Sequence, residues 1–226
     1  MKRVAIVALT LFGLFGSSIQ AQVSRSKDEG ITEGVLSRLV EFNEIDDTEF
    51  VRVFTSALST TNVPGGMVKL NNCNPIAVLK PWQARIFTLR DALDSIIHAE
   101  PDYRWFINDG VINLMPKGEE PTLLQVRINR LNVKDAESIY LPLSKLMSLP
   151  EVRESIAQLG LSEAPHLLIG GISLRPDRPR YTIDCQNVTL KEALNTIVRT
   201  HGRAVWKYEE TRCNSKTEFS IDFVVE

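Results

Sequence analysis

Few side chains in this sequence have the types and spacing that catalysis requires. Its histidines are His98, His166 and His201. None stands in an HExxH pattern and no Cys-x-x-Cys pair joins them, so no zinc site is written here. There is no G-x-S-x-G elbow, phosphate-binding P-loop or dinucleotide fingerprint. Cys73 lies in Asn71-Asn72-Cys73-Asn74-Pro75, a setting with no base to generate a thiolate nucleophile. Asp91 and Glu192 resemble a pair of catalytic acids only in isolation, since each stands three places after a threonine, where a helix cap uses it. No catalytic residue, metal ligand or cofactor is expected, and the chain reads as non-enzymatic.

Two groups with other chemistry remain. Arg175, Arg178 and Arg180 lie in the run Arg175-Pro176-Asp177-Arg178-Pro179-Arg180. Proline restrains such a loop, so its guanidiniums would meet an anionic partner or a glycan with less entropy lost. The plainer alternative is a solvated basic loop. The second group is the three cysteines, Cys73, Cys185 and Cys213. A Cys185–Cys213 disulfide would tie the strand before one helix to the hairpin loop after it, for about 3–4 kcal/mol by loop closure. Cys73 would then be buried and inert, or would itself pair with one of the other two.

One repeated stretch sets the elements that position these residues. Thr88 to Ile97 reads TLRDALDSII, and Thr189 to Val198 reads TLKEALNTIV, at a constant offset of 101 positions. Five of the ten pairs are identical, and Trp105 and Trp206 keep the same offset. Thr88 and Thr189 stand at the N-cap position, with Asp91 and Glu192 placed to complete a capping box. Leu89, Ala92, Leu93, Ile96 and Ile97 recur at helical spacing, as do Leu190, Ala193, Leu194, Ile197 and Val198, giving each helix one buried stripe. An aromatic strand follows each helix: Tyr103, Trp105 and Ile107 alternate, and so do Ala204, Trp206 and Tyr208. Asn108-Asp109-Gly110 predicts a hairpin turn back into Val111 to Leu114. Phe219, Ile221, Phe223 and Val225 form the clearest period-two strand. The tryptophans are read as core rather than as ligand platforms.

Elsewhere the pattern is looser. Ile31, Val35, Leu36, Leu39 and Val40 suggest a first helix in an N-terminal arm. Asp47 or Thr48 can cap a helix that buries Phe50, Val53, Phe54, Ala57 and Leu58, stopped by Val63-Pro64-Gly65-Gly66. Met67 to Leu70 and Arg85 to Phe87 are candidate strands, and Trp82 is placed to cover the loop between them. Leu124, Val126 and Ile128 alternate as a strand. Ala136 to Met147 reads as a helix interrupted at Pro142. Ser148 is placed to cap a helix with Pro150 and Glu151 in its first turn and Val152, Ile156 and Leu159 inside. Leu161 to Gly171 reads as a connector.

Composition bounds the rest. The chain has 226 residues and a formal net charge of -2, which argues against nucleic-acid binding. Residues 1–21 read as a secretory signal: Lys2 and Arg3, an apolar run from Val4 to Phe15, then Ser17, Ser18 and Ala21 before the cut. The apolar run is shorter than the roughly 20 residues of a spanning helix, so no transmembrane segment is expected in the mature chain. The expected divisions are 1–21 signal, 22–47 arm, 48–134 first unit and 135–226 second unit. The expected fold is α+β: two diverged β-α-β-β units packed on a shared core, with extra helices before each.

A strand, a T-L-x-x-A-L-x-x-I helix and an aromatic strand together resemble the short secretin-and-TonB N-terminal domain, STN. The residues that carry the likeness are Thr88, Leu89, Ala92, Leu93 and Ile96, and Thr189, Leu190, Ala193, Leu194 and Ile197. The resemblance covers about a third of the sequence and implies a small periplasmic unit that contacts partner proteins. The expectation is an exported protein-interaction or assembly module, periplasmic or at the outer membrane, with an envelope protein as partner. A small periplasmic hydrolase and a peptidoglycan or polysaccharide binder are the alternatives.

Overall fold

Both threonine-capped stretches are helices, and each enters its helix from a strand. In the computed structural model, which describes residues 33–41, 50–72, 86–164, 180–213 and 216–225, the order is α1 (Glu33–Leu36), β1 (Leu39–Glu41), α2 (Phe50–Thr61), β2 (Gly65–Asn72), β3 (Ile86–Thr88), α3 (Leu89–Ala99), β4 (Tyr103–Asn108) and β5 (Val111–Pro116). A 3-10 turn (Thr122–Gln125) then leads to β6 (Arg127–Ala136), α4 (Tyr140–Met147), α5 (Pro150–Gln158), β7 (Leu161–Glu163), β8 (Tyr181–Thr189), α6 (Leu190–His201), β9 (Val205–Cys213) and β10 (Lys216–Val224). The fold is α+β, as the pattern implies.

The centre is a six-stranded sheet ordered β4-β5-β2-β9-β10-β7. The hairpins β4/β5 and β9/β10 are antiparallel, and the junctions β5/β2, β2/β9 and β10/β7 are parallel. The longest of these junctions joins the two halves of the chain: β2 and β9 pair from Gly65↔Val205 to Asn72↔Arg212. Two small antiparallel pairs, β1/β3 and β6/β8, stand apart from this sheet.

Neighbouring residues on a strand point to opposite faces, and β2 shows what that does here. Met67 joins one apolar cluster with Leu58 of α2 and Leu93 of α3. Val68 joins a second, with Leu194 of α6, Leu146 of α4 and Val152 of α5. The central helices α3 and α6 therefore cover opposite faces of one sheet. The shared single core expected from the sequence is two cores, one on each side. Leu93 and Leu194 are both fully buried, each against the sheet by its own route.

Several local expectations change. The first helix is a single turn at α1, after which Leu39 and Val40 form β1 and pair with β3. The Val63-Pro64-Gly65-Gly66 stop is also the start of β2. Leu124 belongs to the 3-10 turn, and the strand runs instead from Arg127 through Ala136, across the 134/135 division. Ala136 thus ends a strand, and Pro142 sits in the first turn of α4, where its missing N–H costs no helical bond. Leu149, not Ser148, is the N-cap of α5. The Ser148 hydroxyl donates to the Lys145 carbonyl, and the Glu151 carboxylate accepts from the Asn129 N–H. The connector begins as β7, parallel to β10. Asp47, Thr48, Arg85, Trp82 and residues 1–21 lie outside the described residues.

Candidate functional site

The repeated stretches build the same local device twice. Thr88 Oγ1 accepts from the Asp91 N–H at 3.1 Å, and Asp91 Oδ2 accepts from the Thr88 N–H at 3.2 Å. Thr189 and Glu192 make the matching pair at 3.2 and 2.7 Å. The first helical N–H of each, Leu89 and Leu190, donates at 2.8 Å to a carbonyl of the preceding chain, Arg38 or Val126. Trp105 Nε1 donates to Asp94 Oδ1 at 2.8 Å, and Trp206 Nε1 to Asn195 Oδ1 at 2.7 Å. Asp94 and Asn195 are themselves 101 positions apart. Leu89, Leu93, Leu190 and Leu194 are fully buried. The tryptophans differ: Trp206 is fully buried, whereas Trp105 is half-buried at a sheet edge.

The caps have a pH consequence. The Thr88 hydroxyl, then its backbone N–H, hold the Asp91 carboxyl below the ordinary value of 3.8. A carboxyl depressed in the folded state stabilises it above the unfolded value, and that contribution disappears as pH falls through the folded value. Asp91→Asn should therefore flatten the melting temperature's dependence on pH below 3.8, as thermal scans across that range would measure.

The other expected sites separate. Arg175, Arg178 and His166 lie outside the described residues. Arg180 pairs with Glu137 on the surface, a contact of little energetic weight. His98 is exposed, and His201 meets Tyr181 edge-on at 5.9 Å. Among the described residues no three of His, Cys, Asp and Glu are grouped to hold a metal ion.

The expected Cys185–Cys213 bridge is absent. Cys185 carries a free thiol in β8, opposite Leu131 of β6 and packed into the core on the α6 side. Cys213 ends β9 in the six-stranded sheet and is disulfide-bonded, though not to Cys185. The β8 strand belongs to a separate sheet, and its alternation turns Cys185 into the core. Cys73 lies outside the described residues. Burial raises the Cys185 thiol pKa, so alkylation of the native, non-reduced protein should be slow at Cys185 and fast after denaturation. Mass spectrometry of the alkylated peptides would measure this, and rapid native labelling would contradict it.

A polar ladder escaped the sequence reading. Trp206, Tyr208, Glu210 and Arg212 share one face of β9, and Glu210 is buried. The Tyr208 hydroxyl donates to Glu210 Oε2 at 2.5 Å, and Arg212 Nε donates to Oε1 at 2.6 Å. Burial, then the bond to Glu210, push the Tyr208 hydroxyl far above the ordinary phenol range. The phenol stays protonated and both Glu210 carboxyl oxygens are held, which ties successive residues of β9 together. The available signal was an acid where the alternation of Trp206 and Tyr208 demands an apolar residue. Beside it lies a cleft of about 240 Å³ lined by Leu70, Pro116, Glu119, Glu120, Thr122 and Arg212. Glu120 of its lining pairs with Lys191 at 2.9 Å.

The outer edge of β4 is the feature best suited to contact. β4 has six residues and only β5 as a neighbour among the described residues. It displays half-buried Trp105 and Phe106 and exposed Ile107. The Arg90 guanidinium lies 5.8 Å from the Trp105 ring centre, and that of Arg104 lies 5.6 Å from the Phe106 ring centre. Folded proteins usually blunt long apolar edges with charged side chains, proline or a bulge; β4 has no proline and no bulge, and Arg104 is its one charged residue. The opposite edge, β7, has three residues. No helix among the described residues is long and apolar enough to cross a membrane. The chain matches no family model, no curated protein and no solved structure.

Proposed function

We propose that this is a non-enzymatic, exported protein that makes protein contacts in the bacterial envelope through the free edge of its sheet. The observation that carries the reading is the aromatic edge of β4, which has no strand beyond it among the described residues. Tyr, Trp and Arg dominate the energetics of protein interfaces, and an exposed strand offers unpaired backbone groups to a partner. Export and a periplasmic or outer-membrane location are supported by the signal-like pattern of residues 1–21. The resemblance to STN units is supported by the two capped helices, each followed by a tryptophan strand. The equal offset of cap, helix and indole partner supports descent of both halves from one ancestral unit.

A photo-crosslinking residue at Ile107 of the full chain, expressed in its native host, tests the contact. A discrete envelope-protein adduct is expected there and not from exposed Leu141 on α4. No adduct from position 107, or equal adducts from both positions, would contradict the reading. Amino-terminal sequencing of the exported protein should begin at Gln22, and a retained Met1 would remove the export proposal.

A further inference from the structure

We infer that the β4 edge accepts an extended protein segment in which apolar and acidic residues alternate, with the acids facing Arg104 and Arg199. This rests on the interaction-module reading and adds the chemistry of the partner. The backbone fixes which groups are offered. Asp109 and Gly110 form a two-residue turn, with φ of 50° and 72°, as a type I′ hairpin requires. Such a turn makes Asn108 and Val111 a hydrogen-bonded pair, and paired and unpaired positions alternate from there. Phe106 and Arg104 then turn their N–H and C=O groups toward Asn113 and Met115, while Trp105 and Ile107 turn theirs outward. Pro116, which has no N–H, falls opposite Tyr103, at a pair that uses none.

Side chains set the rest of the pattern. On the α3 side of the edge the charged groups nearest β4 already have partners. Arg90 pairs with Glu33 at 2.7 Å, and Asp94 accepts from the Trp105 indole. The surface left there for a partner is Trp105 and Ile107, which is apolar. On the α6 side, Phe106 packs against the core that contains α6, and Arg104 projects from the same face of β4. Arg199 of α6 reaches that hairpin end, donating to the Asp109 carbonyl at 3.2 Å. Both arginines are exposed, and no carboxylate among the described residues pairs with either. A strand laid along β4 sends successive side chains to opposite sides. Every second residue therefore meets Trp105 and Ile107, and those between meet the Phe106 face and the guanidiniums of Arg104 and Arg199, which no described carboxylate neutralises.

Panning a random decapeptide display library on the mature full-length chain tests this. Enriched peptides should alternate apolar with Asp or Glu, and lysine in place of the acids should weaken binding. Ile107→Pro removes an N–H that points outward and no bond to β5, so it should retain the melting temperature and weaken the selected peptides by about tenfold or more. Arg104→Glu with Arg199→Glu, both on the surface, should reverse the preference toward lysine-bearing peptides. No enrichment, enrichment without the alternation, or binding unchanged in both variants would overturn the inference. Peptides that bind but ignore both variants would do so while leaving the interaction-module reading intact; that reading fails separately if crosslinking at Ile107 gives no adduct.

Discussion

Replacing Gly66 with valine is expected to destabilise the protein by about 3 kcal/mol or more. A Cβ on Gly66 would lie 2.0 Å from Trp206 Cε2 and 2.1 Å from its Nε1. Gly66 and Trp206 are register partners across β2 and β9, and the indole lies over the glycine. Trp206 has nowhere to go, being fully buried and bonded to Asn195. The strain thus falls on the junction that joins the two halves of the sheet. Denaturant unfolding would measure it. Gly66→Ala combined with Trp206→Ala should cost less than the sum of the single changes, because removing the ring removes the clash. Strict additivity would mean that the ring does not cover Gly66.

The second large effect separates the two tryptophans. Trp206→Ala should cost about 3–5 kcal/mol, as expected of a buried aromatic side chain. It also strips Asn195, which is 2 % exposed, of its bond from the indole. Asn195 Nδ2 already lacks a partner, so the side chain would be left unsatisfied at both ends. Trp105→Ala should cost far less, on the order of 1 kcal/mol, because its ring is half in solvent and Asp94 is exposed. Equal losses at the two positions would contradict the description of one as core and the other as edge. If β4 is the contact surface, Trp105→Ala should instead reduce partner capture while leaving the fold intact.

These two residues show how far the sequence could be read. The caps, the buried stripes and the tryptophan strands were legible because each rests on local spacing: Thr88 with Asp91, Leu89 with Leu93, Asp109 with Gly110. What local spacing does not contain is which strand lies beside which. The offset between Trp105 and Trp206 implied likeness, but nothing in it placed α3 and α6 on opposite faces of one sheet. Gly65-Gly66 read as a helix stop, and only the neighbouring strand reveals that Gly66 makes room for an indole. Cys185 looked pairable with Cys213 because the two flank one helix in sequence, whereas β8 and β9 belong to different sheets. Ser148 and Glu151 matched a capping pattern, but the Ser148 hydroxyl turns back to the Lys145 carbonyl and tertiary packing gives Glu151 the Asn129 N–H. The candidate contact site was the least legible part, since an edge is defined by the absence of a neighbour.

Backbone hydrogen exchange in the purified mature chain tests the central claim most directly. With β4 an open edge, the amides of Trp105 and Ile107 should exchange rapidly while those of Arg104 and Phe106, turned toward β5, are protected. A captured partner strand should slow the first pair and leave the second unchanged. Protection of all four amides in the free protein would mean that the edge is already occupied, and the account of this sheet as a docking rail would fail.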